Sequence, residues 1–184
     1  MTNDSLDLLA LARQELLRSN ADRKHPFRFF QLATFGPYPE LRTVVKRKAS
    51  SDFLITFFTD SRSPKVGEIV EDNRVSALFY HPRKQLQLRL KGVAQLVERE
   101  SEAFTQYLHQ VKQSRSVKDY LTLQAPGSPV DDATAEAGFG EQINLAVIEI
   151  QPQLLDILQL GRAQHFRSAD HWEAGAWRAQ PLVP

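Results

Sequence analysis

A chain of 184 residues with 42% hydrophobic content and a formal net charge of +1 is long enough for one domain with a real core and short for two. It contains no cysteine, which excludes disulfides, thiolate metal sites and a cysteine nucleophile. No stretch approaches the roughly 20 apolar residues of a membrane span, and Asp4 and Asp7 stand where a signal peptide would carry cations. One domain over residues 1–184 is therefore expected, in a cytoplasmic protein without a membrane partner.

The charge is unevenly spread. From Asp119 to Gly161 there are seven acids and no Lys or Arg, whereas Arg42 to Lys48 and Arg83 to Lys91 each carry four cations and no acid. Such segregation steers an anionic ligand into a cleft, or marks two faces that meet those of another subunit. The near-zero net charge and the long acidic segment speak against a nucleic-acid partner.

In chain order, Leu6, Leu9, Ala12 and Leu16 lie at helical spacing and predict a packing helix over Ser5 to Ser19. His25-Pro26 breaks it, and Phe27 to Phe35 reads as a first strand, ended by Gly36-Pro37. Leu41 to Lys48 and Phe53 to Asp60 read as a hairpin. Ser63-Pro64 then signals a helix start, with serine placed to cap a free amide and proline at the first helical position. Arg62 and Lys65 flank that start, and Arg42, Lys46 and Arg47 come from the neighbouring strand, so the residues alone describe a phosphate site.

Arg74 to Tyr80 is a predicted strand. In the next one Leu86, Leu88 and Leu90 alternate with Gln87, Arg89 and Lys91 until Gly92 permits a bulge. Phe104, Tyr107, Leu108 and Val111 give a second amphipathic helix. Gln124 to Gly140 reads as a long loop, Asn144 to Ile150 as a buried strand, and Leu154 to Leu160 as a further apolar run after Pro152. About six or seven short strands with interspersed helices predict a mainly β protein, a barrel or sandwich with attached helices. Neither nucleotide-binding glycine motif is present. The five histidines lack ligand spacing, so no metal is expected. No side-chain constellation marks a catalytic residue, so an enzymatic role calls for a redox cofactor.

The string RTVVKR, then FFTDSRSPK, then Gln87 in QLQLRLKG resembles the pyridoxamine 5'-phosphate oxidase family of FMN-binding split barrels. The resemblance implies a split β-barrel of Greek-key type, FMN as cofactor, and a homodimer with FMN at the interface. It matches Arg42, Arg47 and Lys65 to cofactor-binding cations, Thr59 and Ser63 to polar contacts, and the strand Thr43, Val44, Val45 with Phe58 to the flavin's surroundings. Pro64 stands where the motif carries arginine, with Arg62 as the cation that would replace it. Gln87 matches a glutamine contributed by the partner subunit, Gln124 a second glutamine, and Arg167 the last arginine of an R-x-H-x-R pattern.

On the substrate side the match is partial. His165 fits and Arg115 fits loosely, but Ala163 replaces the arginine that meets the substrate phosphate in the true oxidases. Arg162 is one residue off, which in a strand points it to the other face. The resemblance thus implies a small-molecule substrate and an oxidase-related flavoprotein of unassigned substrate. The alternatives are pyridoxamine 5'-phosphate oxidase proper and a flavin-binding protein without catalysis.

Overall fold

The computed structural model describes residues 4–130 and 138–184, with residues 4–7 as backbone alone. Leu6 in the first helix and 131–137 of the expected loop lie outside that description. The first helix, α1, spans Asp4–Ala21 and buries Leu8, Leu9, Ala12 and Leu16. It is followed by a 3₁₀ turn, Pro26–Arg28, so the first strand, β1, begins at Phe29 rather than Phe27 and runs Phe29–Phe35. The His25 side chain accepts from the Phe27 amide and draws those residues into the turn.

The hairpin follows as β2, Pro39–Ala49, and β3, Ile55–Asp60. Helix α2, Pro64–Glu71, leads to β4, Arg74–His81, and β5, Leu86–Leu96. Helix α3, Glu102–Lys112, and a second 3₁₀ turn, Arg115–Tyr120, precede β6, Leu145–Leu160. The last twenty residues, to which the sequence reading assigned no element, form an antiparallel pair, β7, His165–Glu173, and β8, Ala176–Leu182.

The sheet order is β3-β2-β1-β4-β5-β6-β7-β8, and β3 also pairs with β6. Six strands therefore close into a barrel, while β7 and β8 continue the sheet beyond it. The passage from β3 through α2 to β4 crosses β2 and β1, which is the Greek-key step expected. Inside, Phe30 stacks on Phe79 at 5.0 Å and meets Phe57 edge-on at 5.8 Å, with Leu86, Leu88, Leu90, Ile148, Ile150, Leu155 and Ile157 filling the rest. Outside, Phe104 and Val111 of α3 and Tyr120 cover Leu145 and Val147. The start of β6 is thus buried on both faces, which explains its unbroken apolar run.

The two apolar runs expected on either side of Pro152 are one strand of 16 residues. Proline is tolerated mid-strand because it lies opposite Gly92, where the register between β5 and β6 shifts. The glycine is required there by close approach, since a Cβ would sit 2.1 Å from the Gln151 carbonyl oxygen. Gly92→Ala is expected to destabilise the fold by about 3 kcal/mol, read as a shifted urea midpoint. An unchanged midpoint would mean that the strands part without cost.

Candidate functional site

The residues expected to bind a phosphate come together only in part, and they do so where β2, β3 and α2 meet. Ser63 occupies the N-cap of α2, but its hydroxyl makes no capping bond. It lies instead 3.1 Å from Thr59 Oγ1, and Lys65 Nζ donates to both hydroxyls at 3.1 Å. Arg42 approaches from β2, donating to Glu68 on α2 at 2.9 Å and to Thr34 on β1. Burial pushes the Lys65 pKa down, and the Arg42 charge pushes it further, against the pull of Glu68 and Asp60. Two cations held this close, with two hydroxyls between strand and helix, form a cradle whose repulsion an anion would relieve.

Lys46 is absent from this cradle. A register shift between Lys46 and Lys48 marks a bulge in β2 at Arg47. Lys46 is turned toward α1, where its buried ammonium donates to Asn20 Oδ1 at 2.7 Å and burial lowers its pKa to about 8. The bulge aims Arg47 the other way. Its guanidinium lies 5.4 Å over the Phe58 ring and donates to the Tyr120 hydroxyl at 3.2 Å, while its Nε is buried without a partner. Burial raises the Tyr120 pKa, and the Arg47 charge opposes the shift. Beside Arg47 opens a pocket lined by Arg23, Arg28, Arg115, Ser114 and Ser116. Its lining contains four arginines and no acid.

Arg62 does not stand in for the arginine missing at Pro64. Its guanidinium pairs with Asp60 at 2.7 Å and donates to the carbonyls of Thr122, Leu123 and Gln124, so it ties the following loop to β3. The Asp60 hydrogen bond raises its pKa. Gln124 receives that bond on its backbone and is exposed. Thr43 and Val45 face outward, whereas the Val44 side chain is buried in the core.

Gln87 lies on β5 between Tyr80 and Leu158, three strands from β2. Arg167 lies opposite Leu158 and grips Asp156 through two bonds at 3.0 and 2.8 Å, with Arg89 on the same carboxylate. Burial alone would raise the Asp156 pKa; the two arginines bring it below the usual carboxylate range. His165 is exposed opposite Leu160. Residues 161–164 form a turn, so the strand alternation expected to turn Arg162 away does not apply to it.

Two groupings were not visible in the sequence. Arg23 and Arg28 join the pocket only because the chain turns back at His25-Pro26. Glu15, His25 and His81 converge within 4.8 Å although 66 positions of chain separate Glu15 from His81. The hint available was the pair of His-Pro steps, one before β1 and one after β4, strands that pair with each other.

A closed six-stranded barrel whose sheet runs on past the closure is a split barrel. A family model described as "Pyridoxamine 5'-phosphate oxidase, FMN-binding domain" matches residues 11–98. Among solved structures, the chain is similar to a pyridoxamine 5'-phosphate oxidase-related, FMN binding protein from Nostoc punctiforme PCC 73102. The TM-score is 0.72 and the identity 23%, over 94% of this chain and 95% of that one. It is also similar to PhzG from Burkholderia lata 383, solved in complex with tetrahydrophenazine-1-carboxylic acid, with a TM-score of 0.75 and 16% identity over 100% and 98% of the chains. General Stress Protein 26 from Bacillus anthracis str. Sterne has a TM-score of 0.51 and 19% identity, over 81% and 98%. No curated protein matches the sequence.

FMN is the cofactor of the matched family, and the cradle's two cations and two hydroxyls fit its phosphate. Arg42→Ala or Lys65→Ala is expected to weaken FMN binding roughly ten- to a hundredfold, the value of one charge-assisted contact. Quenching of flavin fluorescence on titration measures it. Full affinity in both variants would remove these residues from the site.

Proposed function

We propose that this chain is a homodimeric, cytoplasmic FMN-dependent oxidoreductase acting on a small anionic molecule. The observation that carries the reading is the layout of β2. Arg42 serves the phosphate cradle at one point of the strand, and Arg47, about 16 Å further along at the rise of a strand, opens on the arginine pocket. FMN supplies hydride-accepting chemistry when bound. The chain's own residues bind and orient: Arg42, Lys65, Ser63 and Thr59 hold the phosphate, Arg62 fixes the loop that carries Gln124, and the outward residues of β2 lie between. Arg47, Arg115, Arg23 and Arg28 would take a carboxylate or phosphate of the substrate.

The dimer reading is supported by Gln87. Gln87 is three strands, about 14 Å, from β2, too far to share a ligand with Val45 inside one subunit but available to the β2 of a second copy. Sedimentation at micromolar protein tests this, and a monomer with flavin still bound would refute it.

Pyridoxamine 5'-phosphate itself is expected to be a poor substrate. Ala163 lies in the exposed turn before β7 and offers no charge to a phosphate dianion. Steady-state oxidation by the FMN-loaded protein decides, beside Ala163→Arg and Arg162→Ala. Turnover by the unmodified protein at about 10⁴ M⁻¹s⁻¹ or more would favour the oxidase proper, and loss of that turnover in Arg162→Ala would show which turn residue carries it. A flavin that no substrate or reductant bleaches would leave the non-catalytic alternative.

A further inference from the structure

Away from the cradle and the arginine pocket, four side chains close on one carboxylate, from its own helix, the 3₁₀ turn entry and the end of β4. Glu15, in α1 and 1% exposed, is met by His25 Nε2 at 3.1 Å, His81 Nε2 at 3.5 Å and Lys84 Nζ at 2.8 Å, with Arg18 at 3.3 Å. Both histidines are buried and lie edge to face, with ring centroids 5.3 Å apart. By residue type and spacing the trio has the look of a metal ligand set.

The hydrogen positions decide against a metal. His25 Nδ1 accepts from the Phe27 amide at 3.1 Å, and His81 Nδ1 accepts from the Lys84 amide at 3.3 Å. A neutral imidazole carries one N–H and one lone pair. With the lone pair spent on a backbone amide, the hydrogen sits on Nε2, the atom aimed at Glu15. A metal-bound histidine shows the reverse, with the ligating nitrogen bare and the other one donating. The Lys84 ammonium, moreover, already occupies the second carboxylate oxygen.

We propose that Glu15, His25 and His81 form a proton-keyed latch that holds α1 on the barrel while the His81 imidazole is neutral and releases it when His81 is protonated. Protonation of His81 places a hydrogen on Nδ1, against the N–H of Lys84, so it costs that hydrogen bond and sets two donors face to face. The attraction of Glu15 for an imidazolium works the other way. At His81 burial outweighs it, and the neighbouring His25 and Lys84 add to the effect of burial, so its pKa lies below the ordinary value. Asp22, Lys24 and Arg83 complete the charged lining of the same concavity.

The sign follows. A histidine whose folded pKa is depressed contributes stability that is full above its unfolded value, about 6.5, and lost as pH falls below it. Glu15 acts in the same direction at lower pH: burial would raise its pKa, but Lys84 and His25 hold it below the ordinary value. Asp170, buried on β7 and facing the Arg13 charge from α1, has its pKa raised by burial, so acid relieves it rather than loosening the helix.

The test uses the full chain, with thermal unfolding and tryptophan emission followed from about pH 8 to about pH 5. Both tryptophans lie on β7–β8, against which α1 packs, and Trp177 touches the core beneath it. The unmodified protein should lose stability and shift its emission below about pH 6.5. His81→Gln, which keeps a donor near the Nε2 position and does not titrate, should lose most of that acid-induced drop. His81→Asn, which keeps an acceptor for the Lys84 amide, should do the same if the first variant fails to fold. A pH dependence identical in all three proteins would overturn the latch. So would a rise in Tm on adding zinc that Glu15→Gln abolishes, since that result would make the trio a metal site.

Discussion

The fold depends on what β6 is made to do. It hydrogen-bonds β5 along nearly its full length and also reaches β3, so that a sheet which would otherwise stay open closes on itself. A strand serves both neighbours only if it bends, and it bends where a residue without a side chain meets a residue without an amide hydrogen. Gly92 and Pro152 lie opposite each other at that place. With the barrel closed, β3 is fixed between β2 and β6, its end delivers Thr59 and Ser63 to the start of α2, and α3 finds a flat apolar face to cover.

What the sequence disclosed and what it hid follow from the range of the interactions. The alternation in Leu86 to Lys91 is a local consequence of the pleat and was legible as such, as was the helix start at Ser63-Pro64. The continuity of β6 was hidden because proline is locally a strand breaker, and only the glycine on another strand makes it tolerable. Arg42, Lys65, Ser63 and Thr59 were legible as a group because a strand, a turn and one helical turn bring them together over a short span of chain. Lys46 was misread because it shares the inward face with Val44 two residues before it, and the Asn20 side chain that receives its ammonium comes from α1, 26 positions away. The hold of Arg62 on the Thr122–Gln124 backbone and the approach of His81 and Lys84 to Glu15 could not be read from spacing, since those partners lie 60 or more positions away.

The cations of the outer surface divide by whether a carboxylate already claims them. Arg62 has Asp60, and Arg89 and Arg167 share Asp156. Their geometry is settled within the chain, and their work is to hold a loop to a strand or a strand to its neighbour. Arg47 is anchored only by a ring face and a phenol, with one nitrogen left over, and Lys65 by two hydroxyls. Burial without a counter-charge is costly. That cost is kept beside the two places along β2 where an external anion would remove it, and Arg42, paired with Glu68 at 2.9 Å and Glu40 at 3.5 Å, belongs with the claimed cations.

β8 closes nothing and is covered by no further strand, so its outer backbone is a template on which a strand from another molecule could grow. Near its end stands Pro181, opposite Ser168, and a proline has no amide hydrogen to offer to a ladder on either side. Arg178 adds an exposed charge in the middle of the strand. Both features work against a further strand pairing there, so a sheet that runs on past its own barrel carries its own obstacle to edge-to-edge growth.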